Sequence, residues 1–282
     1  MRPDEITAKE FDKKMQLIVR YFTPLALSEA VEKLKNNTLP QRAICVTFDD
    51  GYRDNAEIAF PILKKWNIPA TFFVASGFLD GGRMWNDTII ETVRNYQGDE
   101  LNLTELGLDS FDTQNNQKKE QSAQSIIQQI KHLPQQERHQ KVEFIASHAK
   151  NLPNDLMMDS AQVKNMSEQN ISIGGHTVTH PILATLTAEK AEQDIRQGKK
   201  ALENITQKPV IEFAYPNGKP EQDYLPEHVG IVKKLGFKIA VSTQWGASNG
   251  NSDMYQLNRF TPWDKNNTKF LLRMINNLRV TG

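Results

Sequence analysis

Two short runs and the stretch between them constrain this chain most. "RAICVTF", from Arg42 to Phe48, and "PATFFVA", from Pro69 to Ala75, are brief and rich in β-branched and aromatic residues, as buried strands are. Between them "NAEIAFPILKKW" carries apolar residues at helical spacing, with Asp54 placed as its N-cap and Pro61 expected to bend or restart it. A strand, a helical crossover and a second strand imply parallel pairing.

The rhythm returns downstream. "NISIGGH" reads as a strand ending at His176, and "TAEKAEQDIRQGKKALEN" as a helix capped by Thr187, with Ala188, Ala191, Ile195, Gly198 and Leu202 on one stripe. "VIEFAYP" is a strand, "PEHVGIVKKLG" a helix closed by Gly236, "FKIAVST" a strand, "YQLNRF" a short strand and "KFLLRMINNL" a last helix. Ahead of all these, Thr7 caps a helix to about Tyr21, and a second helical run spans Ser28 to Leu34. The alternation predicts an α/β fold, either a (β/α) barrel or an open parallel sheet. In both, chemistry collects at the C-terminal ends of the strands.

From about residue 77 to 170 the alternation breaks into a polar insertion rich in Gln and Asn. Ile126, Ile127, Ile130, Val142 and Ile145 recur among its charges, which argues against a prion-like tract. The insertion is expected to be mostly helical decoration of a single domain covering 1–282.

Lys plus Arg (34) balances Asp plus Glu (34), and no basic stripe interleaves with aromatics, so neither a nucleic acid nor an anionic membrane surface is supported as a partner. No stretch approaches the ~18 apolar residues of a membrane span, and the first residues carry no apolar leader; the compartment, cytoplasmic or periplasmic, is left open. The single cysteine, Cys45, excludes an intrachain disulfide and reads as a small buried hydrophobe.

Polar clusters fall at the strand ends: Asp49 and Asp50 after "AICVTF", His176 after "ISIGG", Tyr215 to Gly218 after "VIEFA", and Trp245 after "KIAVST". Asp-Gly is ordinary turn chemistry, but two adjacent carboxylates raise each other's pKa unless a cation sits nearby. "FDDG" therefore reads as a turn or as a metal or acid/base site. "HTVTHP" places His176 and His180 four apart, and Pro181 argues against a continuing helix. Two histidines and one aspartate with an open position form a catalytic zinc set. His132, His139, His148 and His228 lie in polar helical patterns and are expected at the surface.

"TFDDG", "HTVTHP" and "FAYPNG" resemble the motifs of the polysaccharide deacetylases, the carbohydrate esterase group (family 4) that shares the NodB-homology domain. The resemblance runs from about Arg42 to Thr261, interrupted by the insertion. It implies a distorted (β/α)7 barrel with a largely helical insertion, a divalent metal, usually zinc, and hydrolysis of N-acetyl groups on amino-sugar polymers. Carried over by position, it implies Asp50, His176 and His180 as metal ligands and Asp49 as general base. It also implies an oxyanion donor in the segment from Tyr215 to Asn217. Trp85 and Trp245 are candidates for stacking on sugar rings, or else for packing, and Arg259 is assigned with them to substrate contact.

Two departures from the family pattern stand out. The third and fourth motifs, "EFAYPNG" and "VSTQWG", lack the arginine and aspartate that orient the base in many members, and no histidine follows His228 to act as general acid. The resemblance is nearest to the "FAYP" branch. The expected function is removal of N-acetyl groups from N-acetylhexosamine units of an exopolysaccharide, lipid-linked glycan or peptidoglycan fragment, releasing acetate. The alternatives are an O-acetyl esterase on the same fold or a catalytically weak carbohydrate-binding relative.

Overall fold

A computed structural model of the chain describes residues 6–169, 171–262 and 264–280. In chain order it contains α1 (Ala8–Tyr21), β1 (Thr23–Pro24), α2 (Leu27–Lys35), β2 (Ala43–Ile44), β3 (Val46–Phe48), α3 (Phe60–Lys65), β4 (Ala70–Val74) and α4 (Trp85–Asn95). Then come β5 (Glu100–Asn102), β6 (Ser110–Asp112), α5 (Asn116–Ile130), α6 (Gln135–Ala146), α7 (Ser160–Glu168) and β7 (Ser172–Gly175). The last are α8 (Ala188–Thr206), β8 (Glu212–Ala214), α9 (Pro226–Lys234), β9 (Ile239–Val241) and α10 (Asn267–Asn277).

Five strands pair in parallel in the order β3-β4-β7-β8-β9. Every new strand joins at the same edge with no reversal, which is the winding of a barrel and not of a doubly wound open sheet. The sheet is a curled parallel half-barrel, and β1 and β2 add a separate parallel pair. Among the described residues, those up to Asp80 and from Met157 onward make one compact unit, and Gly81–Leu156 make another.

In the larger unit β4, flanked by β3 and β7, is buried at all five positions, as a parallel strand covered on both faces is. Phe48 stacks on Phe72 with ring centroids 4.4 Å apart, and α8 turns Ala191, Ile195, Gly198 and Leu202 inward. Local signals set the ends of the helices. Thr7 and Glu10 form a reciprocal capping box, Thr187 accepts from the N–H of Lys190, and Gly236 takes φ +78 after α9. The insertion builds its own core from Ile89, Val93, Leu101, Phe111, Ile126, Ile130, Val142 and Ile145. It also holds an antiparallel pair, β5 with β6, that its helical composition did not suggest.

Several expectations are corrected. Arg42 to Phe48 is not one strand but two, β2 and β3, which pair with different partners on either side of Cys45. Asp54 sits in helical backbone with no side-chain cap bond, and a π-helical turn over Asn55–Ala59 leads into α3 at Phe60 and Pro61. "YQLNRF" contributes only a parallel bridge from Leu257 to Val241. Asn170, expected to open a strand, lies outside the described residues.

Candidate metal centre

β3 ends at Phe48 and delivers Asp49 and Asp50 to the C-terminal rim of the sheet. The chain turns there through φ +73 at Asp50 and φ +92 at Gly51. A Cβ on Gly51 would lie 2.9 Å from Val74 Cγ1, so only glycine lets the turn settle on β4. The carbonyl of Asp50 accepts the N–H of Ala75 at 3.1 Å, which ties the turn to the end of β4.

β7 ends at Gly175 and delivers the second motif. The N–H of His176 donates to Val74 O (3.2 Å), and those of Ser76 and Gly77 donate to the carbonyls of Thr177 (3.2 Å) and Val178 (3.0 Å). Thr177 and His180 take φ +67 and +50, a left-handed backbone that L residues rarely adopt and that is typical of strained functional turns. The hydroxyl of Thr177 accepts the N–H of His180 at 3.0 Å.

His176 is 1% exposed, and its Nδ1 lies 2.7 Å from the carbonyl of Ala214. A carbonyl only accepts, so Nδ1 carries the proton and Nε2 offers its lone pair. His176 Nε2 and His180 Nε2 stand 3.4 and 3.3 Å from Asp50 Oδ1. The ligating atoms of Asp50, His176 and His180 all lie within 4.8 Å of one another. Two imidazole nitrogens and one carboxylate oxygen at this spacing fit a divalent cation. Burial would push the Asp50 carboxyl up, but the His176 hydrogen bond and the two imidazoles hold it down. Burial would likewise lower His176, yet the Asp50 bond and the Asp49 charge raise it.

Asp49 faces Arg259. Nη1 donates to Oδ1 at 2.7 Å and Nη2 to Oδ2 at 2.9 Å, a bidentate fork. Nη1 also reaches Thr47 Oγ1 at 3.3 Å, Nε donates to the carbonyl of Ser242 at 3.0 Å, and the guanidinium lies 5.5 Å from the Phe73 ring centroid. These partners correct the assignment of Arg259 to substrate contact: its guanidinium is engaged inside the protein, by Asp49, Thr47 and Ser242. The third motif lacks the arginine expected there, and the arginine that meets Asp49 is Arg259, 210 positions beyond it in the chain. No local signal in "YQLNRF" marks it. Burial would raise the Asp49 carboxyl, but Arg259, then the nearby imidazoles, hold it at about 2.

Tyr215 is also corrected. Its ring is fully buried and stacked on Tyr224 at 3.8 Å, its hydroxyl donates to the carbonyl of Tyr255 (3.0 Å), and its N–H donates to Val241 O (3.3 Å). Pro216 has no N–H. Within the segment the donor left is the N–H of Asn217, held at φ +58 in the turn before Gly218.

Trp245 is 47% exposed, with Phe260 edge-on at 6.2 Å, and the two line a cleft of about 540 Å³ with Lys269, Leu272, Asn276 and Val280. Trp85 opens α4 in the smaller unit, packs against that unit's core, and has the Arg138 guanidinium 4.9 Å from its ring. His132 and His139 are exposed and His148 is half-buried. His228 departs from the surface expectation: it is completely buried, with Nδ1 accepting the N–H of Leu225 at 2.9 Å at the start of α9. Cys45 is half-buried, and burial pushes its thiol up to about 12, which leaves it inert.

Comparison with known proteins bears on this geometry. Residues 36–240 match the family described as Polysaccharide deacetylase. The chain is similar to YxkH of Bacillus subtilis (strain 168), 23% identical over 256 residues that cover 90% of this chain and 64% of that protein. It is similar too to the poly-beta-1,6-N-acetyl-D-glucosamine N-deacetylase of Staphylococcus aureus (strain MSSA476), 24% identical over 83% of this chain and 59% of that protein. The chain therefore spans less than two thirds of the length of these relatives. The solved structure of IcaB from Ammonifex degensii superposes with a TM-score of 0.62 over 96% of this chain and 89% of that one, at 19% identity, a likeness of fold.

Proposed function

The chain belongs to the polysaccharide deacetylase family, and from that premise we propose that it is a metal-dependent hydrolase that removes N-acetyl groups from N-acetylhexosamine units of a glycan and releases acetate. The observation that carries this reading is the convergence of Asp50, His176 and His180 within 4.8 Å beside an Asp49 already held in a bidentate grip. Arg259 keeps the Asp49 carboxyl ionised, and a divalent cation, zinc by its donor set, would supply the Lewis-acid activation of carbonyl and water.

The protein's own groups then have distinct tasks. Asp49 accepts a proton from the attacking water, and Arg259 keeps it ionised and aimed. The N–H of Asn217 is offered to the carbonyl oxygen as negative charge develops there. An amide nitrogen leaves only when protonated, and Asp49 returns to it the proton it took. Trp245, one residue beyond the Gln244 carbonyl that accepts the Arg259 N–H at 3.0 Å, gives the glycan a ring to stack on outside the reacting centre.

The experiment is acetate release from β-1,6-linked N-acetylglucosamine oligomers, the glycan in the S. aureus relative's name, beside an O-acetylated glycan. Release from the N-acetyl substrate should stop with a chelator and return with zinc. Release that ignores the chelator, or that occurs only from the ester, overturns the proposal.

A further inference from the structure

The two histidines of the candidate metal centre are the ends of one short loop, His176 to His180, so whatever holds the residues between them sets where the imidazoles point. Asp194, on α8, grips that loop from outside. Its Oδ1 accepts the N–H of Val178 at 2.6 Å, and its Oδ2 accepts the hydroxyl of Thr179 at 2.8 Å. One carboxylate thus engages two successive residues midway between the histidines, through charge-assisted bonds that are about twice as strong as neutral ones.

A second feature of the same helix acts on the same loop. Four residues on from Asp194, and so on the same face of α8, a Cβ at Gly198 would lie 2.8 Å from both the carbonyl carbon and oxygen of Thr177. Any side chain there would push helix and loop apart. The loop itself is strained, with Thr177 and His180 in the left-handed region at φ +67 and +50, a conformation that persists only where its surroundings over-determine it.

We propose that Asp194 is a positioning residue for the metal centre: α8 clamps the His176–His180 loop through the Asp194 carboxylate and the close approach at Gly198, and so holds both imidazoles in their ligating arrangement before a cation arrives. The proposal rests on the metal-binding reading of Asp50, His176 and His180. The cost of ordering two imidazoles is met in the fold, not at binding, which raises affinity as preorganisation does in general.

The test is competition for zinc against a chelator of known affinity, in wild type, Asp194→Ala, Asp194→Asn, Thr179→Val and Gly198→Ala, with the absorption spectrum of the Co2+-loaded proteins as a second readout. Asp194→Ala should bind zinc about ten- to a hundredfold more weakly, the loss typical when the outer partner of a ligating residue is removed. Asp194→Asn keeps an oxygen for the Val178 N–H and an amide for the Thr179 hydroxyl, so it should recover most of that loss. Gly198→Ala should weaken zinc with the Asp194 charge still in place, and Thr179→Val should lose less because one bond remains. The Co2+ spectrum should shift in the variants that lose affinity. If Asp194 merely held α8 in the fold, its loss would lower the unfolding temperature of the metal-free protein and leave both readouts of the folded variants at wild-type values. That result overturns the clamp alone. Failure of wild type to bind zinc overturns the metal reading and the clamp with it.

Discussion

Arg259 and Asp49, 210 positions apart in the chain, face each other as a fork and a carboxylate, with Nη1–Oδ1 at 2.7 Å and Nη2–Oδ2 at 2.9 Å. The pairing decides what Arg259 is for. Arg259→Lys keeps a charge but loses the planar fork, so kcat should fall about ten- to a hundredfold with KM little changed. A rise in KM at unchanged kcat would return Arg259 to substrate contact.

Base and ligand separate by metal content. Asp49→Asn should retain zinc and lose at least about a hundredfold in kcat, the usual contribution of general base catalysis. His176→Ala should lose zinc outright by elemental analysis. Stoichiometric zinc in that variant would remove His176 from the ligand set, and near-wild-type turnover in Asp49→Asn would remove Asp49 from the chemistry.

Protons compete with the cation. In the metal-free protein the neighbouring carboxylates raise His176 above the usual histidine range, against the opposing effect of burial, and a ligating imidazole must be neutral. Zinc binding should therefore release a proton and weaken by about tenfold per pH unit as pH falls below the raised value. Competition titrations from acid to mildly alkaline pH check this, and an affinity flat with pH in that range would contradict it.

Histidines outside the centre should not supply the departing proton. His132→Ala and His139→Ala, both exposed, should leave turnover and stability alone. His228→Ala removes a fully buried ring and the acceptor for the Leu225 N–H, so it should cost about 1 kcal/mol or more of stability while changing kcat by less than about tenfold at a permissive temperature. A drop of a hundredfold or more in a folded variant would identify a general acid.

A pH effect on stability follows from Glu212, which is 2% exposed and accepts the Thr71 hydroxyl at 2.9 Å. Burial pushes its carboxyl up, so over the window above the ordinary glutamate pKa the folded chain holds a proton that the unfolded chain releases. Stability attributable to this group is full at acid pH and declines as pH rises through that window. Glu212→Gln should match wild type near pH 4 and unfold at a higher temperature at pH 8. A lower unfolding temperature at pH 8 would show that the charged carboxylate is the stabilising form.

Much of the frame is written in local chemistry. The capping of α1 by Thr7 and of α8 by Thr187, the buried β4 and the inward stripe of α8 depend on neighbours within a turn or two, and each was legible from spacing alone. That Asp50 and His176 share a rim follows from parallel strands, since one stands after β3 and the other after β7 with β4 between them, but the choice of Asp50 over Asp49 as partner of the two imidazoles came from the family resemblance and not from spacing. The strand lengths were less legible. β2 and β3 meet at Cys45 in an unbroken apolar run, and nothing in that run says that its two halves pair with different partners.

What the residues determined by themselves was an alternation of strands and helices and which types of side chain stand at the strand ends. Which of those side chains touch was decided only when strand order and register were set. The Tyr215 N–H is spent because β9 lies beside β8, His228 is buried because α9 turns that face inward, and Arg259 reaches Asp49 although β3 and β9 are opposite edges, because the segment after β9 runs parallel beside it at Leu257 and the sheet is curled. Hydrogen bonds and periodicity between near neighbours are fixed by the chain's own geometry, whereas contacts between residues hundreds of positions apart form only as the whole core packs.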